Sequence, residues 1–497
     1  MRIIRRVLWQ WVLLQLLSGH AVLAQEPAPA EPATPAPLTL NVGPFHLSLN
    51  WRARAEHWDW FEGDTGDSQY AFGHSQLRVA LGQNLKRVEW LFEGQHVAIL
   101  GLPTGAVAPA PLGQLGLGAT YYAANGNRAK NASAFVKQAF VQLKRLGPAD
   151  LKVGRFEFFD GTEAPSSDSV VMALVQTRIA HRLISNFGFT AVQRTFDGAQ
   201  LTWNAGAHHV TAFGARPTEG IFQVNGSGEL DVQIYYGAYN RSTGTANSAG
   251  SLRIFGVGYI DSRSSVLKTD NRSAAARLAD QGDIKIGTWG ADYVQVVHTN
   301  TAGVFDILGW GVVQTGAWGL LTHRAGAFVS EAGWQPPATP LKPWISGGYS
   351  YGSGDGDPND SRHATFFQLL TTPRQYARFP FYNMMNNRDA YVTLSLRPVS
   401  RLGFRSELHG LRLADAADLW YLGGGAFQDH TFGYQGRPSN GGRHLSTVWD
   451  LNGDYQLTRV LTATAYYAHA SGGNVIAAIY PNDSNGQLGY VELTVHF

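Results

Sequence analysis

Positively charged side chains recur on one face of several short segments of this 497-residue chain, interleaved with carboxylates. Guanidinium and ammonium groups pair with carboxylate ligands, and rings of Arg and Lys select anions in pores. These residues therefore predict an anion-binding wall; an alternative is that each Arg only pairs with an acid of a neighbouring strand. The candidate binding residues are Arg52, Arg54, Arg78, Lys137, Arg155, Glu157, Arg405 and Glu407.

A weaker candidate site lies in a turn rich in Gly and Pro, where Asp355, Asp357 and Asp360 offer oxygen ligands for Ca²⁺. No Glu follows at the distance of a bidentate ligand, so an ordinary solvated turn is the favoured interpretation. No other cofactor is predicted. The chain has no Cys, which excludes thiolate metal sites and cysteine nucleophiles, and it has no Walker or H-E-x-x-H motif.

The composition favours a β-protein with many turns. Hydrophobic residues make up 44% of the chain and there are 57 Gly, but charged residues make up only 15%. Soluble domains have a charged fraction of roughly 25%. A formal net charge of +2 is too small to indicate a nucleic-acid partner.

The N-terminus has the pattern of a secretory signal peptide. Three arginines precede an apolar stretch at 7–17, and small residues up to Ala24 resemble a cleavage site. The apolar stretch is shorter than the about 20 residues that a spanning helix needs. We expect residues 1–24 to be removed, 25–37 to form a Pro/Ala-rich periplasmic spacer, and 38–497 to form a single domain.

From residue 38 onward, apolar and polar residues alternate with a period of two, and no run of 18 apolar residues occurs. In segment 46–56, Leu47 and Leu49 share one face, whereas Arg52 and Arg54 lie on the other. Repeated segments of about ten such residues are typical of transmembrane β-barrels. Because lipid cannot satisfy backbone polar groups, such a sheet must close on itself.

The sequence therefore predicts an all-β fold, a transmembrane antiparallel β-barrel of about eighteen strands, with sixteen as the alternative. Both chain ends lie on the periplasmic side in this topology. The predicted tight turns, at Gly82–Lys86, Leu146–Ala149 and Thr458–Arg459, lie at one end of the barrel. The long connections lie at the other end and are 99–132, 160–194, 353–389, 414–444 and 471–486.

Aromatic residues near strand ends support this topology. The chain ends in Phe497, with apolar residues at alternate positions before it, and the outer-membrane insertion machinery reads such a final strand. Other aromatic residues near strand ends fit interfacial girdles, although ordinary packing is an alternative for each. They are Trp58, Trp60, Trp289, Trp310, Trp420 and Tyr421.

Three stretches resemble the alginate export family of outer-membrane porins. They are YGSGDGDPND at 351–360, followed by TFFQL at 365–369, then RFPFYNMMN at 378–386 and DLWYLGGG at 418–425. Segments FVKQAFV at 135–141 and VGR at 153–155 are similar to early strands of that family. The resemblance covers roughly residues 45–497 and is strongest after 340.

The resemblance implies an eighteen-stranded barrel that exports an anionic exopolysaccharide through an arginine-rich lumen. It places Arg155 in the lumen and Lys137 where the family usually has Arg, while Arg78 and Arg405 match less closely. The characterised exporter has a long periplasmic loop that helps to plug the pore, whereas the connection at Thr458–Arg459 is short here.

The sequence thus predicts a bacterial outer-membrane channel, not an enzyme, for passive transport or export of an alginate-like polysaccharide or oligosaccharide. Its predicted partners are outer-membrane lipid, the anionic saccharide and the insertion machinery, with periplasmic export proteins also considered. A general or small-molecule porin is the alternative, and a barrel enzyme is an alternative of another class. The sequence does not specify the substrate, the direction of transport or the oligomeric state. Nor does it specify whether loop 99–132 or loop 353–389 plugs the pore.

Overall fold

The computed structural model describes residues 40–264, 266–337, 339–372 and 378–497. The predicted signal peptide, 1–24, and spacer, 25–37, lie outside the described residues. No helix within the described ranges is both long enough and apolar enough to cross a membrane.

Eighteen antiparallel strands form one closed barrel, which confirms the predicted fold and strand number. Each strand pairs with its neighbours in sequence, and the first pairs with the last from Asn50 opposite His496 to Asp59 opposite Gln487. The strands are β1 Phe45–Asp59, β2 Gln69–Asn84, β3 Val88–Leu100, β4 Lys130–Leu146, β5 Ala149–Phe156, β6 Phe196–Ala205, β7 His208–Pro217, β8 Val232–Thr245, β9 Ser248–Asp261, β10 Ile284–Thr299, β11 Gly303–Trp318, β12 Leu321–Gln335, β13 Trp344–Gly352, β14 Asn387–Val399, β15 Leu402–Leu413, β16 His444–Gln456, β17 Leu461–Gly472 and β18 Asn485–His496.

Alternation along the strands separates an inner from an outer face. On β18, Val491 and Leu493 are 61% and 42% exposed, whereas Tyr490, which precedes Val491, is buried. On β1, Arg54 and Glu56 are buried beneath the inner face. Because successive side chains of a strand point to opposite faces, the apolar residues meet lipid and the ionisable residues line the interior.

The connections differ in length at the two ends of the barrel. At one end the turns are short, such as 147–148 between β4 and β5 and 457–460 between β16 and β17. At the other end lie 101–129, 157–195 and 353–386, with 414–443 as a fourth long loop; the tight turn 319–320 is the exception there. Short periplasmic turns and long extracellular loops are the rule for outer-membrane barrels, so the long loops face outward from the cell.

The remaining secondary structure lies mostly in the loops at the extracellular end. The helices are α1 Leu117–Ala124, α2 Ser169–Leu174, which continues into a π-helical turn at Val175–Ile179, α3 Ala274–Ala279 and α4 Asn474–Ala477. Short strands Leu419–Gly423 and Tyr434–Pro438 pair with each other, Leu40–Val42 pairs with β1, and Arg362–His363 pairs with β12.

A buried aromatic cluster joins the loops to the upper barrel wall. Trp60 packs on Phe61 at a ring distance of 5.1 Å, and Phe379 packs on Phe381 at 5.0 Å, with Trp420 beside them. The girdle prediction is therefore wrong for five residues, which are at most 3% exposed, namely Trp58, Trp60, Trp310, Trp420 and Tyr421. Trp289, at 63% exposure, does lie on the outer face. Position near a strand end does not tell which face an aromatic residue occupies.

Candidate functional site: the ionisable lining of the barrel

The loop 157–195 folds into the barrel instead of covering its mouth. Asp160 fixes its base, because Oδ1 accepts hydrogen bonds from the amides of Leu183 and Ile184 at 3.2 and 2.9 Å. Burial is the main cause that raises the pKa of Asp160 to about 6, although nearby Arg253 opposes it. The stretch after Asp168 is rich in Val, Leu and Ile, and the interior is where these side chains are buried.

Residues Phe187–Gln193 of this loop, called the pore segment below, form a small loop whose two ends meet. The amide of Arg194 donates to the carbonyl of Asn186 at 2.8 Å, which holds the two ends together. Phe187 and Gln193, at its first and last positions, both have φ of 60°. Left-handed backbone is costly for residues other than Gly and tends to occur at functional sites.

The pore segment lies against a row of cations on the inner wall. Arg52 donates to the carbonyl of Gly188 at 2.7 Å, and Arg54 donates to that of Phe189 at 3.2 Å. Lys137 donates to the carbonyl of Val192 at 3.3 Å. These three cations hold the backbone of the segment by its carbonyl oxygens, and Arg78 holds it by the side chain of Gln193. We call Arg52, Arg54, Arg78 and Lys137 the basic row.

Carboxylates also pair with the basic row. Arg54 lies 2.6 Å from Glu492 and 3.3 Å from Glu56. Glu157 lies 3.1 Å from Arg78 and 3.8 Å from Lys137. Burial alone raises the pKa of Glu157, but Arg78 and Lys137 outweigh it and hold the pKa below its ordinary value. In this structure, therefore, the alternative of paired arginines describes the row, and its role in substrate binding stays a prediction.

A β-bulge lets the consecutive residues Lys137 and Gln138 both face the interior. Glu93 of β3 opposes Gln138, and the next residue, Gly94, opposes Val136, so Lys137 is left without a partner in the ladder. In a regular strand Lys137 and Gln138 would face opposite ways, but a bulge re-aims the extra side chain. Lys137 is only 1% exposed as a result.

Arg155 does not lie in the lumen, and that prediction is wrong. It alternates with buried Phe156 and shares its face with Val153, which is 50% exposed. On this outer face it pairs with Asp197 of β6 at 2.5 Å and donates to the carbonyl of Ser227 in an extracellular loop at 3.1 Å. The match to a family strand identified the segment, but strand parity puts Arg155 at the outer rim.

A second group of charges lies across β12 and β15 and is called the arginine cluster below. Glu407 lies 2.6 Å from Arg405, 3.3 Å from Arg178 and 3.8 Å from Arg378. Glu331 lies 3.5 Å from both Arg178 and Arg182. Four guanidinium groups, Arg178, Arg182, Arg378 and Arg405, thus share the two carboxylates Glu331 and Glu407.

Further ionisable groups surround the arginine cluster. His409 Nδ1 lies 2.8 Å from Asp389, and Asp450 accepts hydrogen bonds from the Glu407 amide at 3.1 Å and from the Tyr466 hydroxyl at 3.0 Å. The predicted residues Arg405 and Glu407 lie here, apart from the basic row.

Sequence reasoning missed four members of this group, Arg178, Arg182, Glu331 and Arg378. Three of them come from loops that the strand pattern leaves outside the barrel. The sequence offered one sign of two of them. Arg178 and Arg182 lie in a long apolar connection, and a loop longer than about 15 residues in a compact protein is usually functional.

The predicted Ca²⁺ ligands do not converge on one point. Asp355, Asp357 and Asp360 accept hydrogen bonds from the amides of Asp357, Asn359 and Arg362, at 3.2, 3.0 and 2.7 Å. Across the described ranges, no three His, Cys, Asp or Glu side chains are placed to hold a metal ion. Each carboxylate satisfies a local turn, which fits the favoured interpretation of an ordinary turn, and the Ca²⁺ site stays a prediction.

A buried histidine pair anchors the loop 353–386 to the barrel. Nδ1 of His363 lies 2.9 Å from Nδ1 of His323 on β12, and the His363 ring stacks on Trp318 at 4.0 Å. Burial lowers the pKa of His363 well below its ordinary value, and His323 and Arg272 lower it further.

This pair predicts a pH dependence of the loop. A depressed histidine pKa favours the folded loop above about pH 6.5, the value for unfolded His, and that stability is lost as the pH falls further. We expect proteolysis of 353–386 in the assembled barrel to accelerate below about pH 6.5. His363→Gln, which removes one of the two buried imidazoles, should make the cleavage rate less dependent on pH; an unchanged pH profile would contradict this role.

The chain is similar to one protein family in sequence and to several solved structures in fold. The sequence profile of the family described as alginate export matches residues 117–489. The crystal structure of Pseudomonas aeruginosa OccK9 (OpdG) has a TM-score of 0.58 at 12% identity. That of Acinetobacter baumannii OccAB2 has a TM-score of 0.55 at 10% identity.

A third similar structure is P. aeruginosa OpdK with vanillate, with a TM-score of 0.53 at 10% identity. Each of the three alignments covers 91% of this chain and 98% of the other. At these identities the likeness concerns the fold alone. No curated protein matches the chain.

Proposed function

The chain belongs to the alginate export family, and on that premise we propose that this outer-membrane channel passes anionic saccharides. The protein lies in the bacterial outer membrane, where its apolar outer face meets lipid. The finer proposal concerns the substrate: a chain of carboxylated sugars moves past the arginine cluster and the basic row. The C-terminal strand ending in Phe497 is the proposed signal for the insertion machinery.

The arginine cluster carries the proposal. Four guanidinium groups share two glutamates, so positive charge exceeds negative charge among the six side chains of the cluster. Guanidinium groups form forked hydrogen bonds with carboxylates and are weakly hydrated. A uronate carboxylate is therefore a suitable passing partner, and Asp450 and the Asp389–His409 pair limit how tightly it is held.

The inward loops favour a second candidate, a channel for small anions. The pore segment covers the basic row, and Arg52, Arg54 and Lys137 donate to its backbone. A small carboxylate would pass beside the segment, whereas a polymer would require the segment to move. The two candidate functions therefore differ in the length of the anion that can pass.

Ion selectivity tests the proposed function directly. The full-length barrel is inserted into a planar bilayer with a KCl gradient, and the reversal potential is measured. We expect a preference for chloride over potassium, because fixed guanidinium groups along the wall stabilise anions in transit. A preference for potassium would contradict the proposal.

Arg78 and Arg155 provide a matched pair for this measurement. Arg78→Gln removes a cation of the basic row and is expected to shift the reversal potential toward cation selectivity. Arg155→Gln removes a cation of the outer rim and is expected to leave the reversal potential unchanged. Equal shifts in the two variants would contradict the assignment of the two residues to different faces.

A further inference from the structure

An aromatic cavity lies among the extracellular loops. Its lining comes mainly from the loops 101–129, 157–195 and 414–443. Six rings line it, those of Trp60, Phe187, Phe189, Phe222, Phe427 and Tyr434. Ligand pockets are typically lined mostly by apolar and aromatic side chains.

Polar groups interrupt the aromatic walls at a few points. The amides of Gln114 and Gln435 and the hydroxyls of Thr120 and Thr431 belong to the lining, and no carboxylate does. Trp60 is 1% exposed and its indole Nε1 makes no hydrogen bond with the described residues. The lining therefore combines flat apolar faces with hydrogen-bonding groups that suit sugar hydroxyls.

Two buried arginines flank the cavity. Arg194 is fully buried and donates from Nη2 to the carbonyl of Gly424 at 2.6 Å. Arg437 is 2% exposed and donates to the carbonyl of Gln114 at 2.7 Å. Gly424 adjoins the lining residue Gly423, and Gln114 is itself in the lining.

Neither arginine has a counter-charge. Among the described residues, no carboxylate acts on Arg194 or Arg437 as a nearby counter-charge, and Nε and Nη1 of Arg194 and Nη1 of Arg437 make no hydrogen bond. Burying a guanidinium group without a counter-ion is costly. Two such groups beside one cavity without acids create a positive potential that favours an anion.

The backbone at Gly423–Gly425 supports this arrangement. Gly423 and Gly425 have φ of 119° and 81°, in the region that side chains of other residues rarely adopt. The two glycines turn the intervening carbonyl of Gly424 toward Arg194, so the guanidinium group is held by a residue next to the cavity lining.

We propose that this cavity is an extracellular binding site for a carboxylated sugar ring, separate from the basic row and the arginine cluster. The apolar face of the pyranose lies against the aromatic walls, its hydroxyls bond to the amides of Gln114 and Gln435, and its carboxylate pairs with the flanking guanidinium groups. This substrate class rests on the proposed function. The site would hold the saccharide at the outer mouth of the channel.

The absence of cysteine in the chain allows a site-specific test. Thr120→Cys puts a single thiol in the cavity wall, and its rate of modification by a methanethiosulfonate reagent is measured in the assembled barrel. Galacturonate is expected to slow modification several-fold, whereas galactose at the same concentration is not. Asp64→Cys, in an exposed extracellular loop, is the control and should not be protected.

Second-site variants then separate the contributions. Arg194→Gln is expected to weaken protection of Cys at position 120 roughly tenfold, because hydrogen bonds to charged groups are the stronger ones. Phe222→Ala is expected to weaken protection while ion selectivity stays as in the parent. Protection that is absent, equal for galactose, or unchanged in both variants would overturn the site. Cation selectivity with intact protection would overturn the proposed function instead.

Discussion

Replacing Arg178 and Arg405 together with glutamine is expected to reverse the ion selectivity of the channel from anions to cations. Both guanidinium groups contact Glu407, at 3.3 and 2.6 Å. Their removal leaves Glu407 with Arg378 as a cationic contact, at 3.8 Å, and with the carboxylate of Asp450 next to it. The interior thus changes from a surplus of donors to a surplus of carboxylate charge, and fixed charge of this kind decides which ion passes.

The same double variant should weaken block by an oligouronate roughly tenfold or more, since each hydrogen bond to a charged group contributes about 1.5–3 kcal/mol. Single-channel current with the oligomer on one side measures this effect. Arg216→Gln is a matched control, because Arg216 is 44% exposed on the outer face near the extracellular rim. Anion selectivity that survives in the double variant would show that the cluster is not on the conduction path.

Shortening the pore segment is expected to raise the single-channel conductance several-fold. The Arg194 amide already bonds to the Asn186 carbonyl at 2.8 Å, so Phe187–Gln193 can be replaced by two glycines that bridge residues already in contact. The replacement removes the carbonyls that Arg52, Arg54 and Lys137 hold. A wider path lined by less occupied cations conducts more and prefers anions more strongly.

A control of similar length lies in another loop. Helix α3, Ala274–Ala279, contains no buried residue, so its replacement by two glycines should leave the conductance unchanged. Equal conductance of the shortened pore segment and the parent channel would contradict the placement of this segment in the path of ions.

The sequence predicts the barrel well because lipid imposes one simple rule on every strand. Apolar residues such as Val491 and Leu493 must alternate with polar neighbours, and both kinds of face are visible in the chain without any knowledge of packing. Turn 457–460 is short in the structure, as predicted, so the long periplasmic plug of the characterised exporter has no counterpart at this turn.

Local irregularities and loops limit the prediction of the site. Lys137 and Gln138 are consecutive yet both face inward because a bulge interrupts β4, whereas Arg155 shares the outer face with Val153; both follow from register, which a strand pattern alone does not specify. Arg178 and Arg182 reach the lumen through a loop, whose path depends on tertiary packing. The sequence therefore predicts the strands of the barrel wall better than the loops that fold into its interior.

Block by saccharides of matched length tests the central claim most directly. Trigalacturonate and maltotriose are added in turn to single channels in a planar bilayer, and the concentration that halves the current is measured for each. We expect trigalacturonate to halve the current at a concentration at least tenfold lower than maltotriose does. Its carboxylates gain charge-assisted bonds of about 1.5–3 kcal/mol with the arginine cluster. Equal block by the two trisaccharides, or stronger block by maltotriose, would contradict it.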